Sequence, residues 1–383
     1  MSSALRFHKL FPKNKRSRYG ALENIDFDLS FPNRKLVCNS IRIQGTVKCF
    51  KTGTTRTLVT DDIFVDNMIG AHAFFESYET SAQNKGVIEY CQNMPRFHKM
   101  VSTGSNSADD MANISNTCEL KSQNLQLSRN VFYGEVNKDQ VLSPTVNSSD
   151  GQSFSVKPLF VLNQVNRGQA GGDVNLDHST MGDITISVRT AKNNSSLFGS
   201  DADGSVNYQI ENINLTFHSL PSDGQQSKLI MRTKQVVRQS IQSDLGNVSV
   251  NVPQLTNGVS ITAIAQNKQN TVRENSNTLE RLPDVSRVEF LINDSQSDFI
   301  TFQLESENEV LQNYLISMSG DSGKVNQFRQ AEIKANEAYG IGASFYGLLD
   351  LSKDKFGINI TSQVGQANVP YVLFLFFHGL FMV

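Results

Sequence analysis

The sequence predicts an all-β protein made of two β domains in tandem. Three observations carry that reading. Short runs of alternating apolar and polar residues recur along the chain, punctuated by Gly, Asn, Asp and Ser. Charged residues are 19% of the chain, below the roughly one quarter typical of globular domains, and polar uncharged residues fill the gap as they do in loops over a β scaffold. Two domain-sized blocks close on the same pattern, L-x-F-H-small-L, at 215–220 and again at 375–380. Internal repetition of this kind is the first thing to test in an unfamiliar chain.

The first twenty residues, "MSSALRFHKLFPKNKRSRYG", carry Arg6, Lys9, Lys13, Lys15, Arg16 and Arg18 among Phe7, Leu10 and Phe11. They place charges where a secretory signal has its apolar stretch, so no signal peptide is expected. Residues 1–24 read as a basic N-terminal arm. It is either a solvated tail or a segment lying on phosphate, on a membrane or on a neighbouring subunit.

Strand patterns begin at "KLVCNSIRIQGTVKCF" (35–50), where Ile41, Ile43 and Val47 share one face. In "GDITISVRTA", Ile184, Ile186 and Val188 alternate with Thr185, Ser187 and Arg189. In "VNYQIENINLTFHSL" the apolar set is Ile213, Leu215 and Phe217. The segment 219–228, "SLPSDGQQSK", is almost free of apolar residues and contains Pro221, Asp223 and Gly224. It marks the boundary between a first domain, 25–220, and a second, 221–383. Beyond it come "SVNVPQL", "GVSITAIAQ", "RVEFLIND", "DFITFQLE" and "FGINITSQ". Two segments look helical: 325–340, with Gly340 as its C-terminal stop, and "SADDMANISN", capped by Ser107.

The run "PYVLFLFFHGLFMV" has only His378 as a conventional polar side chain after Tyr371. It is shorter than the about 20 apolar residues a membrane helix needs. It reads as a strand covered on both faces, with Leu373, Leu375 and Phe377 in the core as counterparts of Leu215 and Phe217.

No motif supplies a convincing catalytic centre. "GDSG" (320–323) and "GAHA" (70–73) imitate parts of a serine protease, but "GDSG" continues with Lys324-Val325 where that family has Gly-Pro. "GDSGK" lacks the first glycine of a phosphate-binding loop, since Met318 stands there. "GIGASFYG" has Phe345 at the third glycine position of a dinucleotide fingerprint, and "DADG" (201–204) lacks a calcium loop's closing glutamate, with Ile210 in its place. None of the six histidines has metal-ligand spacing with another. Cys38, Cys49, Cys91 and Cys118 read as free, mostly buried thiols of a reducing compartment. Sequons such as Asn113, Asn147, Asn214 and Asn359 are expected by chance in a chain this rich in Asn and Ser. No cofactor, metal or enzymatic activity is expected.

Two blocks resemble the double jelly-roll major capsid proteins, the lineage of adenovirus hexons, virophages and polinton-like viruses. One is 61–103, with Ile88-Glu89-Tyr90 and Pro95-Arg96-Phe97 standing for the lineage's "I-E-x-Y…P-R-F" segment. The other runs from "FSVKPLFVLNQ" through "GDITISVRTAKNNSSLFG" to "VNYQIENINLTFHSLPSDG". The resemblance covers about a third of the chain and implies two tandem eight-stranded jelly rolls with a few short helices in loops. It implies a structural subunit of an icosahedral capsid, forming pseudo-hexameric homotrimers that tile the shell. The implied partners are neighbouring capsomers, penton and minor capsid proteins, and an internal membrane or genome met through the N-terminal arm. The implied location is the virion, after synthesis in host cytoplasm or nucleus. The alternative is a penton, minor capsid or spike-like β-sandwich binding protein.

Overall fold

A computed structural model describes residues 4–51, 64–66, 69–105, 118–120, 129–130, 151–167, 175–197, 206–226, 229–241, 247–250, 257–267, 285–292, 295–302, 313–314, 316–317, 340–350, 356–362 and 371–383. The expected helices at 107–116 and 325–339, the "GDSG" turn with Ser322 and the "DADG" loop lie outside these residues.

The first half is a sandwich of two sheets. One sheet has four rows. β1 (Arg6–Leu10) and β2 (Arg18–Tyr19) form an edge row, antiparallel to β14 (Val206–Pro221), with Phe7 opposite His218 and Tyr19 opposite Ile210. On the other side of β14 run β4 (Arg34–Val37) and β5 (Arg42–Lys51), with Leu36 opposite Ser219 and Ile43 opposite Leu215. β10 (Gln152–Val156) and β12 (Asn175–Asp177) complete the sheet beyond them. The facing sheet has the order β3 (Asn24–Leu29), β13 (Ile184–Thr190), β7 (Phe75–Ala82), β8 (Gly86–Cys91). A short ladder joins β6 (Phe64–Val65) to β9 (Arg129–Asn130). Alternation puts Ile184, Ile186 and Val188 in the core at 1% exposure or less, and Phe75 meets Phe154 of the opposite sheet at 5.9 Å.

The second half repeats the plan. One sheet has the order β15 (Leu229–Ile241), β22 (Tyr371–Met382), β17 (Gly258–Asn267), β20 (Ile341–Leu349). The other has β16 (Asn247–Val250), β21 (Phe356–Ser362), β18 (Val285–Ile292), β19 (Ser295–Phe302). Numbering the rows of each half from one to eight in chain order, both halves have sheets 1-8-3-6 and 2-7-4-5. That shared order is a jelly roll, so the fold is a double jelly roll.

The two halves are joined by more than the connection after Pro221. β11 (Val165–Arg167), from the first half of the chain, pairs along the edge of β15, with Val165 opposite Met231. In β22, a central strand paired with β15 and β17, Val372 through Phe377 are all 4% exposed or less. Phe377 packs edge-on against Phe356 inside its own sandwich at 5.2 Å. Phe376, on the opposite face, meets Phe97 of α1 (Met94–Ser105) at 5.4 Å. The run fails to alternate because one face enters the sandwich core and the other meets the first half.

Candidate functional site: the seam between the sandwiches and the N-terminal edge

The described residues bring charge and aromatic groups together where α1, β8 and the 3-10 turn Val161–Asn163 meet β15 and β22. Glu89 projects inward from β8. Its carboxylate accepts the backbone N–H groups of Val161 (2.7 Å) and Lys234 (3.0 Å) and lies 3.6 Å from the Lys234 ammonium. Both side chains are 0% exposed. The Lys234 ammonium also donates to the side-chain oxygen of Gln164 and sits 4.8 Å over the Phe97 ring. An ion pair removed from water is tolerable only when its remaining polar valences are met, and here backbone donors, an amide and a ring supply them.

Arg96, one residue before Phe97, lies 4.5 Å over the Phe374 ring, and Arg238 approaches the same ring at 5.9 Å. Loss of solvent lowers the Arg96 pKa to about 10, against the opposing pull of Glu76. Desolvation raises the Glu76 carboxyl, with Arg96 and Lys192 acting in the other direction. α1 begins with Pro95 in its first turn, where a missing N–H costs nothing, and this start aims Arg96 and Phe97 at β22. Thus Glu89, Arg96 and Phe97, three of the residues in the "I-E-x-Y…P-R-F" segment, are the residues that pin one sandwich to the other. Lys234, their partner, was not singled out in the sequence. Only tertiary pairing across 145 positions reveals it, and a Lys inside a strand pattern was its one trace.

The expected core residues lie where the strand pattern put them. Leu373, Leu375, Phe377, Leu215 and Phe217 are all 0% exposed. Their histidine neighbours diverge. His378 is buried, and its ring nitrogen meets the Thr262 hydroxyl at 3.1 Å. His218 is half-buried and meets Phe7 edge-on at 5.5 Å.

The basic N-terminus differs from the expected separate arm. Arg6 and Lys9 are on β1, and Arg18 is on β2, so the segment is the first row of the first sandwich. Buried Tyr19 and half-buried Leu10 anchor it. Lys15 lies in the turn between, with a positive φ of 46°. Lys13 pairs with Asp28 at 2.9 Å and Arg16 with Glu23 at 3.3 Å. All six basic residues are exposed, and so are Leu5, Phe7 and Phe11 beside them.

The described cysteines are mostly buried, as expected, while the expectation for the histidines changes. Cys38 and Cys91 are buried, the Cys38 thiol pushed up to about 12 by burial, and Cys118 is exposed. His72 and His98, 26 positions apart and without ligand spacing in the sequence, lie together in space with Glu119.

No protein-family model matches the sequence, and no curated protein matches it. Solved structures do. The chain matches the mavirus major capsid protein at 10% identity and a TM-score of 0.52, over 97% of this chain and 86% of that one. It matches a chain of the Sputnik virophage at 9% identity and a TM-score of 0.57, over 100% and 87%. It matches the Faustovirus major capsid protein at 10% identity and a TM-score of 0.52, over 100% and 91%. At this identity the likeness is one of fold, and it spans both jelly rolls in a single alignment.

Proposed function

We propose that the protein is a structural subunit of an icosahedral virus capsid, in which three copies form a pseudo-hexameric capsomer and capsomers tile the shell. The observation that supports this most is that the match to two major capsid proteins covers 97% and 100% of this chain, both sandwiches included. The geometry fits the role. Each chain presents two similar sandwiches held by a buried seam, so a three-fold ring presents six similar lobes to its neighbours. Symmetric repetition lets modest contacts add up to a stable shell. The role is structural rather than catalytic, and its place is the virion.

In this reading the two jelly rolls of the capsomer divide near 220/221, and the first takes in the N-terminal row as well as residues 25–220. The N-terminal row, with Arg6, Lys9, Lys13, Lys15, Arg16 and Arg18 around exposed Phe7 and Phe11, faces a neighbouring capsomer, a minor or penton protein, or the membrane or genome beneath. Purified full-length chain, examined by size-exclusion chromatography with light scattering over a range of salt and pH, is expected to give the mass of a trimer. Monomers under every condition contradict the proposal. Pentamers, or glycan binding on an array, favour a vertex or spike protein instead.

A further inference from the structure

His72, His98 and Glu119 come from three separate segments and converge on one buried point. His72 lies in the 3-10 turn Gly70–Phe74, His98 on α1, and Glu119 on the short segment 118–120. They are 4%, 6% and 7% exposed. One donor atom from each lies within 4.8 Å of the other two. The two imidazole rings stack at 3.6 Å, and the His72 Nε2 is 3.5 Å from the Glu119 carboxylate.

The three segments are held by other bonds. Ala71 N–H donates to the Glu119 carbonyl at 2.7 Å, and Ser155 N–H donates to the Cys118 carbonyl at 2.6 Å. Asp66 accepts from the Ile69 N–H at 3.2 Å and pairs with Lys99 at 2.6 Å. The donors are therefore presented on a braced frame, as a metal site requires.

We propose that these three side chains form a divalent transition-metal site of the zinc class. Two imidazole nitrogens and one carboxylate oxygen are the borderline donor set that favours zinc, cobalt or nickel over magnesium or calcium. Donors around a tetrahedral zinc stand about 3.4 Å apart; His72 and Glu119 already meet at 3.5 Å, and the rings turn out of their stack to bring the third donor to the ion. The fourth position takes water. The ion ties α1, and with it Phe97 at the seam, to the 3-10 turn and to segment 118–120. Its effect is to strengthen the docking of the two sandwiches. The proposal does not depend on the capsid reading.

The test uses full-length protein stripped with chelator and dialysed at neutral pH. Calorimetric titration with zinc is expected to give one ion per chain, and zinc is expected to raise the melting temperature while magnesium does not. Cobalt is expected to give visible d–d absorption. His98→Ala and His72→Ala are each expected to weaken zinc binding at least about 100-fold, and Glu119→Gln to weaken it less. The exposed thiol is controlled by Cys118→Ser, which is expected to keep full binding. No zinc-dependent shift in wild-type melting overturns the proposal. So does stoichiometric zinc retained by folded His72→Ala/His98→Ala, or binding that is lost only in Cys118→Ser.

Discussion

At the scale of the residue, Lys234 and Glu89 show how a costly feature can be kept. Lys234→Met leaves the Glu89 carboxylate buried without its cation, and this is expected to cost about 3–5 kcal/mol. The double replacement Lys234→Met/Glu89→Leu removes both charges and is expected to recover part of that loss, less any cost of the two backbone N–H groups, of Val161 and of position 234, left without the carboxylate. Urea unfolding of the four proteins checks both statements. Gly340 and Gly342 of "GIGASFYG" have a packing reason. A Cβ on Gly340 would stand 1.9 Å from the Ala263 carbonyl oxygen, and one on Gly342 would stand 2.9 Å from the Tyr314 Cα. Gly342→Ala is expected to destabilise by about 1–3 kcal/mol through overpacking, read as a lowered unfolding midpoint. Asp177 accepts from the Ser179 backbone N–H at 2.9 Å and from the Ser222 hydroxyl. Desolvation acts to raise this carboxyl, but the Ser179 and Ser222 hydrogen bonds outweigh it and hold it below 3.8. A depressed carboxyl stabilises the fold fully above that ordinary value and loses its effect as pH falls through the folded one. Asp177→Ala is therefore expected to cost about 1 kcal/mol at neutral pH, and the difference from wild type is expected to vanish well below pH 3.8. Thermal melts across pH test the sign.

At the scale of the element, legibility followed the number of covered faces. β13 was legible because one face is wet, so apolar and polar residues alternate from Ile184 to Arg189. β22 does not alternate, and its length and apolar content identified it instead. Its twin β14 keeps Glu211 half-buried and Asn212 exposed, with Asn214 buried, a bulge between Glu211 and Asn214 and a positive φ of 53° at Asn212. The N-terminal row was not legible as a strand. Pro12, Lys13 and Lys15 split it into two short pieces, and its charges suggested an arm. Lys and Pro are, however, what edge strands carry to discourage unwanted pairing, and Phe7, Leu10 and Tyr19 were the surviving signal. The seam was legible only as residue types: Glu89, Arg96 and Phe97 could be picked out on resemblance, but their contacts with Lys234 and β22 are set by tertiary packing. Deleting 371–383 removes a strand hydrogen-bonded on both sides and is expected to abolish soluble folding. The milder Leu375→Ala is expected to cost about 2–5 kcal/mol by leaving a cavity. Soluble, trimeric protein from the truncated chain contradicts this.

At the scale of the whole molecule, the same row order appears twice, and the two copies are stitched by β11, by the Glu89–Lys234 pair and by the aromatic contacts of α1 with β22. The repeat was visible in the sequence only at its closing strands, because the other strands share a pattern and not residues. The proposal is that three-fold symmetry turns this pair of similar sandwiches into a six-lobed tile, and that is the central claim. The most direct test is electron microscopy of the purified full-length protein. Class averages are expected to show three-fold particles with six lobes of similar size. Particles that remain single two-lobed monomers across salt and pH contradict the claim.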